Sequence, residues 1–170
     1  MITISSKRKH GFRSFQTLYL MVTLAAMAGC SDGQADSELK ASPEKVFQLS
    51  TGERQQFSDI DSPYVLMNYW ASWCKPCVKE IPELNALDQN PNTAVYAFNF
   101  DRLEGEELTA EAAKFDLQLP MMLNEPAPMF NEDSPRGLPA TLVVNTATGE
   151  QQWLMGAQTK DKILTALNLQ

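Results

Sequence analysis

Tyr64-Val65-Leu66-Met67-Asn68-Tyr69-Trp70-Ala71-Ser72-Trp73-Cys74-Lys75-Pro76-Cys77 is the stretch that decides the fold. Its first seven residues are a continuous apolar and aromatic run, opened by Ser62-Pro63, as expected of a central strand buried on both faces. Residues from Lys75 to about Leu87 read as a helix, with Pro76 tolerated in its first turn and Pro82 predicting a kink one turn later. A strand, a tight turn and a helix put Cys74 at or just before the helix start, where unpaired N–H groups and the helix dipole stabilise a negative charge. Such positions lower a cysteine pKa below the roughly 8.5 of a free thiol, and the thiolate is the nucleophile of disulfide exchange. Cys77, one turn further in, is placed to attack a mixed disulfide formed through Cys74 and so complete a two-electron exchange. Lys75 and Lys79 add positive charge that favours the thiolate.

Outward from this stretch, Val46–Leu49 and Arg54–Phe57 around Thr51-Gly52-Glu53 suggest a short N-terminal hairpin. Thr93–Phe100 reads as a strand, Glu106–Phe115 as a helix, Pro120–Leu123 as a short strand and Pro126–Phe130 as a helical turn. Thr141–Asn145 and Gln151–Met155 form a second hairpin around Thr148-Gly149, and Lys160–Leu169 is a closing helix. Strands alternating with helices and ending in an antiparallel hairpin imply an α/β domain with a mixed central sheet flanked by helices. Phe98, Phe100 and Phe115 read as core.

The 170 residues fit one domain once the first stretch is set aside. Lys7, Arg8, Lys9 and Arg13 precede an apolar segment from Phe15 to Ala28 and small residues before Cys30, so residues 1–29 read as a signal peptide. The run falls short of the roughly 20 residues that span a bilayer, which makes a permanent transmembrane anchor the weaker reading. Met27-Ala28-Gly29-Cys30 resembles the bacterial lipobox, in which the cysteine is acylated and becomes the first mature residue; the alternative is an ordinary small apolar residue. Acyl chains on Cys30 would tether the domain to a membrane, and residues 30–45 then form a polar, flexible linker ahead of a domain at 46–170, with a reach of about 20 Å.

Removing that segment takes away four of the 14 basic residues and none of the 21 acidic ones, which leaves a net charge of −11. So acidic a surface repels phosphate backbones and anionic headgroups, so nucleic acid is not an expected partner. The only histidine, His10, lies in the removed segment, and with it go Cys-His and Ser-His hydrolysis and His-ligated metal. With Cys30 acylated, Cys74 and Cys77 are the remaining thiols. A zinc site would need two further ligands of the right type, and a purely structural disulfide would close a very short loop and constrain the unfolded chain little. Redox exchange is the use that this spacing supports best, and it needs no cofactor beyond the Cys74–Cys77 couple.

Asn68 to Cys77, with Glu80, Pro82 and Leu84, resembles the TlpA/ResA branch of the thioredoxin superfamily, over roughly residues 46 to 169. Arg136-Gly137-Leu138-Pro139-Ala140-Thr141-Leu142-Val143-Val144-Asn145 is similar to the family segment that carries a cis proline before a strand. The resemblance implies a thioredoxin-like fold and a cis Leu138-Pro139 bond packed against the cysteine pair. Its neighbouring backbone would pair with an extended substrate, in a groove bounded by Trp73, Lys75, Pro76, Leu138 and Pro139. From sequence alone a trans proline is the better expectation, since about 5–6% of X-Pro bonds are cis. One of Trp70 and Trp73 is expected in the core and the other as a shield beside Cys74.

Cytoplasmic thioredoxins carry a buried aspartate on the strand before the motif, where this chain has Asn68, which does not titrate. Glu80 shares a helical stripe with Leu84 and Leu87, so it is either partly buried with a raised pKa or reaches solvent from the stripe's edge. Related enzymes use a glutamate at the matching place, which implies that Glu80 accepts the Cys77 proton. The resemblance further implies cysteine-containing envelope proteins as substrates, apocytochrome c among them, a membrane thiol-disulfide interchange protein as electron donor, and a lipid-anchored, periplasm-facing location. Ser31 in place of an aspartate favours the outer membrane over the inner. Three alternatives stay open: a disulfide-forming oxidant of the same fold, a non-catalytic peptide-binding domain, and a peroxiredoxin-like peroxidase, which would want an isolated cysteine in another motif.

Overall fold

A computed structural model describes residues 44–169; Cys30, the targeting segment and nearly all of the linker lie outside the described residues. The elements are β1 (Val46–Gln48), β2 (Arg54–Gln56), β3 (Tyr64–Trp70), α1 (Lys75–Asp88), β4 (Thr93–Asn99), α2 (Gly105–Lys114), β5 (Met121–Met122), α3 (Pro126–Met129), β6 (Ala140–Asn145), β7 (Gln151–Met155) and α4 (Lys160–Ala166). β1 and β2 form the expected hairpin, whose turn passes through Gly52 at φ +86°, a conformation that glycine adopts without a Cβ clash.

The larger sheet has the order β5-β4-β3-β6-β7. β4 runs parallel to β3 and β5 parallel to β4, whereas β6 is antiparallel to both β3 and β7. The apolar run predicted as central is therefore central, with all but Tyr64 buried. Its side chains alternate between two cores, as a period of two dictates. Leu66 and Trp70 face a layer built from Cys77, Ile81, Leu84 and Leu87 of α1, Leu108 and Ala112 of α2, and Ile163 of α4. Val65, Met67 and Tyr69 face Phe47 and Leu49 of the hairpin segment with Ala127 and Phe130 around α3. The hairpin is stitched to the sheet edge by Ser50 N–H to Met121 O at 2.8 Å and Leu123 N–H to Gln48 O at 2.7 Å, which covers the two-residue edge strand β5.

α1 is continuous from Lys75 to Asp88, with Pro82 inside it on the exposed side. Two expectations need correction. α4 ends at Ala166, not Leu169, and Asn168 at φ +56° turns the chain away. Phe100 is not core: it falls one residue past the end of β4, where the chain leaves the sheet, and is 40% exposed. Phe98 is buried as expected, and Phe115 is partly buried against the α1 and α2 core.

Candidate active site

Cys74 is the N-cap of α1 and Pro76 occupies the first turn, where its missing N–H is one that the helix would leave unpaired anyway. The Cys74 carbonyl accepts from Val78 N–H at 3.1 Å, and its sulfur accepts from Cys77 N–H at 3.3 Å. Helix geometry thus aims a backbone donor at one sulfur of the pair. Cys74 and Cys77 are joined by a disulfide, with their Cα atoms 5.3 Å apart. Cys77 is fully buried and Cys74 is 5% exposed, so an incoming sulfur reaches the pair from the Cys74 side.

One turn beyond Cys77, Glu80 is 2% exposed on the face that α1 turns to the sheet. Its Oε1 accepts from Asn68 Nδ2 at 2.9 Å and its Oε2 from Gln158 N–H at 2.9 Å. The same Asn68 amide donates to Thr141 Oγ1 at 2.9 Å, because Asn68 and Thr141 are direct partners across the β3/β6 ladder. Burial pushes the Glu80 carboxyl above its ordinary 4.5, and the two donors pull partly back. Of the two readings of Glu80, the structure has the buried one.

Leu138-Pro139 is cis, Pro139 is buried and Leu138 half-buried. The Pro139 carbonyl accepts from Gly156 N–H at 2.9 Å, which fixes the proline loop to the end of β7. Trp70 is the core tryptophan, and Trp73 projects at 61% exposure. Its indole N–H donates to the Asp101 carboxylate at 2.8 Å to Oδ2, and its ring meets Phe100 edge-on with centroids 6.4 Å apart. Lys75 and Pro76 are exposed on the first turn. Arg102, Glu125 and Ser134 are linked by hydrogen bonds through the Glu125 carboxylate, which ties the loop after β4 to the segment that leads into Pro139.

Sequence reading located Cys74, Cys77, Glu80, Trp73 and Pro139 but not the partners that hold them. Thr141 was within reach, since pairing β3 with β6 places it opposite Asn68. Gln158 was not, because it contributes a backbone N–H and no side-chain pattern marks it. Among the described residues no group of three His, Cys, Asp or Glu side chains is arranged to hold a metal.

The AhpC/TSA family model matches residues 39–147, a span that holds the hairpin, the cysteine pair and the cis proline. The chain belongs to the AhpC/TSA family. Within this AhpC/TSA frame its relatives include the thioredoxin-like protein YneN of Bacillus subtilis, 29% identical over 137 residues, covering 78% of this chain and 79% of that one. The thiol-disulfide oxidoreductase ResA of Geobacillus kaustophilus is 27% identical over 160 residues, covering 87% and 90%. A secreted Mycobacterium tuberculosis disulfide oxidoreductase, described as homologous to DsbE of E. coli, shares the fold with a TM-score of 0.58 at 14% identity, covering 75% of this chain and 96% of that one.

Proposed function

We propose that this protein reduces disulfides of cysteine-containing proteins by dithiol exchange through Cys74 and Cys77. It is a thiol-disulfide oxidoreductase of the TlpA/ResA type, with a thioredoxin-like fold. The observation that carries the reading is the stacking of three groups along α1: Cys74 at the helix N-terminus with a backbone N–H on its sulfur, Cys77 buried behind it, and Glu80 buried one turn further.

In the reduced protein the Cys74 thiolate attacks one sulfur of the substrate disulfide. A Cys74–substrate bond forms, the substrate's second sulfur leaves as a thiolate and takes a proton from water. Cys77 then gives its proton to the Glu80 carboxylate and attacks the Cys74 sulfur. The intramolecular disulfide closes and the substrate's first sulfur departs, so two electrons have passed to the substrate. A carboxyl with a raised pKa suits this task, because its proton affinity lies closer to that of a thiol than an exposed carboxylate's does. A dithiol donor must then reduce Cys74–Cys77 again; a membrane thiol-disulfide interchange protein fits that role. Acylation at Cys30 after removal of residues 1–29 would hold the domain at the membrane of the cell envelope, the outer one by the Ser31 argument, and no helix among the described residues is long and apolar enough to cross it. The groove formed by Trp73, Lys75, Pro76, Leu138 and Pro139 receives the substrate.

The deciding experiment is the reduction potential of the Cys74–Cys77 couple in a glutathione or dithiothreitol series. A value near the roughly −270 mV of thioredoxin is expected; one near the roughly −120 mV of strong periplasmic oxidants would reverse the direction and make the protein a disulfide donor.

A further inference from the structure

Glu125 stands at the N-cap position of α3, where a carboxylate ordinarily accepts from the helix's own first N–H groups. It makes no such bond. The Ala127 N–H donates instead to the Tyr69 hydroxyl oxygen on β3 at 2.9 Å, and the Glu125 carboxylate is spent away from its helix. One of its oxygens accepts from the Ser134 hydroxyl and the other from the Arg102 guanidinium. The Glu125 side chain is 15% exposed, so removing either donor would leave a sheltered carboxylate oxygen without its partner.

Both donors lead towards the redox pair. Arg102 follows Asp101, whose carboxylate accepts from the Trp73 indole N–H at 2.8 Å, and Trp73 directly precedes Cys74. Ser134 opens the run Ser134-Pro135-Arg136-Gly137-Leu138-Pro139, which ends in the cis proline. In the sheet order β4-β3-β6, the chain leaves β3 towards Cys74, leaves β4 into Asp101 and Arg102, and enters β6 from Pro139. The Glu125 carboxylate therefore joins the two segments that stand on either side of Cys74. Backbone conformation marks the same place. Arg102 has φ +58°, in the left-handed region that a residue with a Cβ enters at a cost. Its N–H donates to the Asn99 carbonyl at 2.9 Å, and its guanidinium lies 5.8 Å from the centroid of the Phe98 ring. Costly conformations of this kind persist where surrounding contacts hold them, and they gather at functional sites.

We propose that Glu125 is a positioning residue: its carboxylate clamps the Asp101–Arg102 loop to the Ser134–Pro139 segment and so sets the spacing between Trp73 and the cis proline across Cys74. This role rests on the exchange reading of the cysteine pair and adds no step to it. A substrate that must fit between both walls feels the clamp. A disulfide small enough to reach the Cys74 sulfur alone does not.

The test compares two disulfides in single turnover with the reduced protein: glutathione disulfide, and a cysteine peptide in mixed disulfide with glutathione. Glu125→Gln removes the charge that holds Arg102, and Ser134→Ala removes the other donor. In each, the ratio of the peptide rate to the glutathione disulfide rate should fall about fivefold, the factor that one net hydrogen bond commands. The reduction potential of the Cys74–Cys77 couple should keep its wild-type value, and Ser134→Thr, which retains the hydroxyl, should keep the wild-type ratio. Both rates are taken on one preparation, so a loss of folded protein cancels. The Trp73 indole N–H resonance, identified by its disappearance in Trp73→Phe, should move in Ser134→Ala, because Ser134 reaches it through Glu125, Arg102 and Asp101. A ratio that Glu125→Gln and Ser134→Ala leave unchanged, or an indole resonance that stays in place, would overturn the clamp and leave the exchange reading standing. A reduction potential that shifts along with the ratio would sink it as well, since Glu125 would then act on the cysteine pair and not on the walls beside it. Wild-type protein that consumes neither disulfide would remove both readings.

Discussion

Glu80 is a carboxyl that the fold buries beside two donors, and its energetics decide what a substitution there does. Its pKa in the folded protein is raised, so between the ordinary 4.5 and that higher value the folded state holds a proton that the unfolded chain has released. The stabilising contribution is fully present below 4.5 and is lost as pH rises through the folded pKa. Wild-type stability to denaturant should accordingly decline as pH rises across that window, and Glu80→Gln, neutral at every pH, should flatten the decline; a parallel decline in the variant would show that another group is responsible. Asn68 acts on the same carboxyl from β3. Asn68→Ala removes the donor at Oε1, which should raise the Glu80 pKa further and move the pH dependence of Cys77 reactivity in the same direction, as followed by alkylation rate against pH. Thr141→Val leaves one Asn68 N–H without its acceptor in a buried site and should cost about 1–3 kcal/mol in unfolding experiments.

At the scale of elements, α1 couples the redox pair to the core, because Cys77, Ile81, Leu84 and Leu87 occupy one stripe against β3 and β4. Leu84→Ala empties part of that stripe, with an expected loss of about 2–5 kcal/mol in chemical denaturation. The chemistry of the pair depends on the N-terminal turn, so the reduction potential should move far less than the stability. This helix was legible in the sequence because its start is marked by a turn, two cysteines and a proline, and its stripe by Glu80, Leu84 and Leu87. β3 was legible because seven consecutive apolar and aromatic residues admit little else. Phe100 was misread for a physical reason: composition does not show where a strand stops, and one residue past the stop a phenylalanine changes from core filler to exposed wall. The closing helix was overextended at its C-terminus because its last apolar residues, Leu167 and Leu169, follow the helical pattern beyond the point where Asn168 leaves it. The cis state of Leu138-Pro139 was legible only through resemblance; no local pattern separates it from a trans proline that opens a strand.

For the molecule as a whole, the direction of electron flow is a question about which redox form the fold stabilises more. Oxidation state and folding share one thermodynamic cycle: if the oxidised domain is more stable than the reduced one, folding makes the disulfide harder to reduce than it is in the unfolded chain, and each 1.4 kcal/mol of difference lowers the potential by about 30 mV. The structure gives this balance a physical content. Reduction puts two sulfurs in place of one bond in a site where Cys77 is fully buried and a buried carboxyl lies one turn away, so burial keeps Cys77 a neutral thiol until Glu80 takes its proton. Cys74 has the helix N-terminus and the Cys77 N–H in its favour, and because these groups favour a thiolate over a neutral disulfide sulfur they work in the opposite sense, stabilising the reduced form. A reductase requires the oxidised form to be the more stable of the two, and the proposed direction of exchange makes that the expected order. Guanidinium unfolding of the oxidised protein and of the protein held reduced should show the oxidised midpoint at the higher denaturant concentration at neutral pH. A reduced form that is the more stable of the two would mean that this fold drives disulfides into its substrates, and the proposed direction would be wrong.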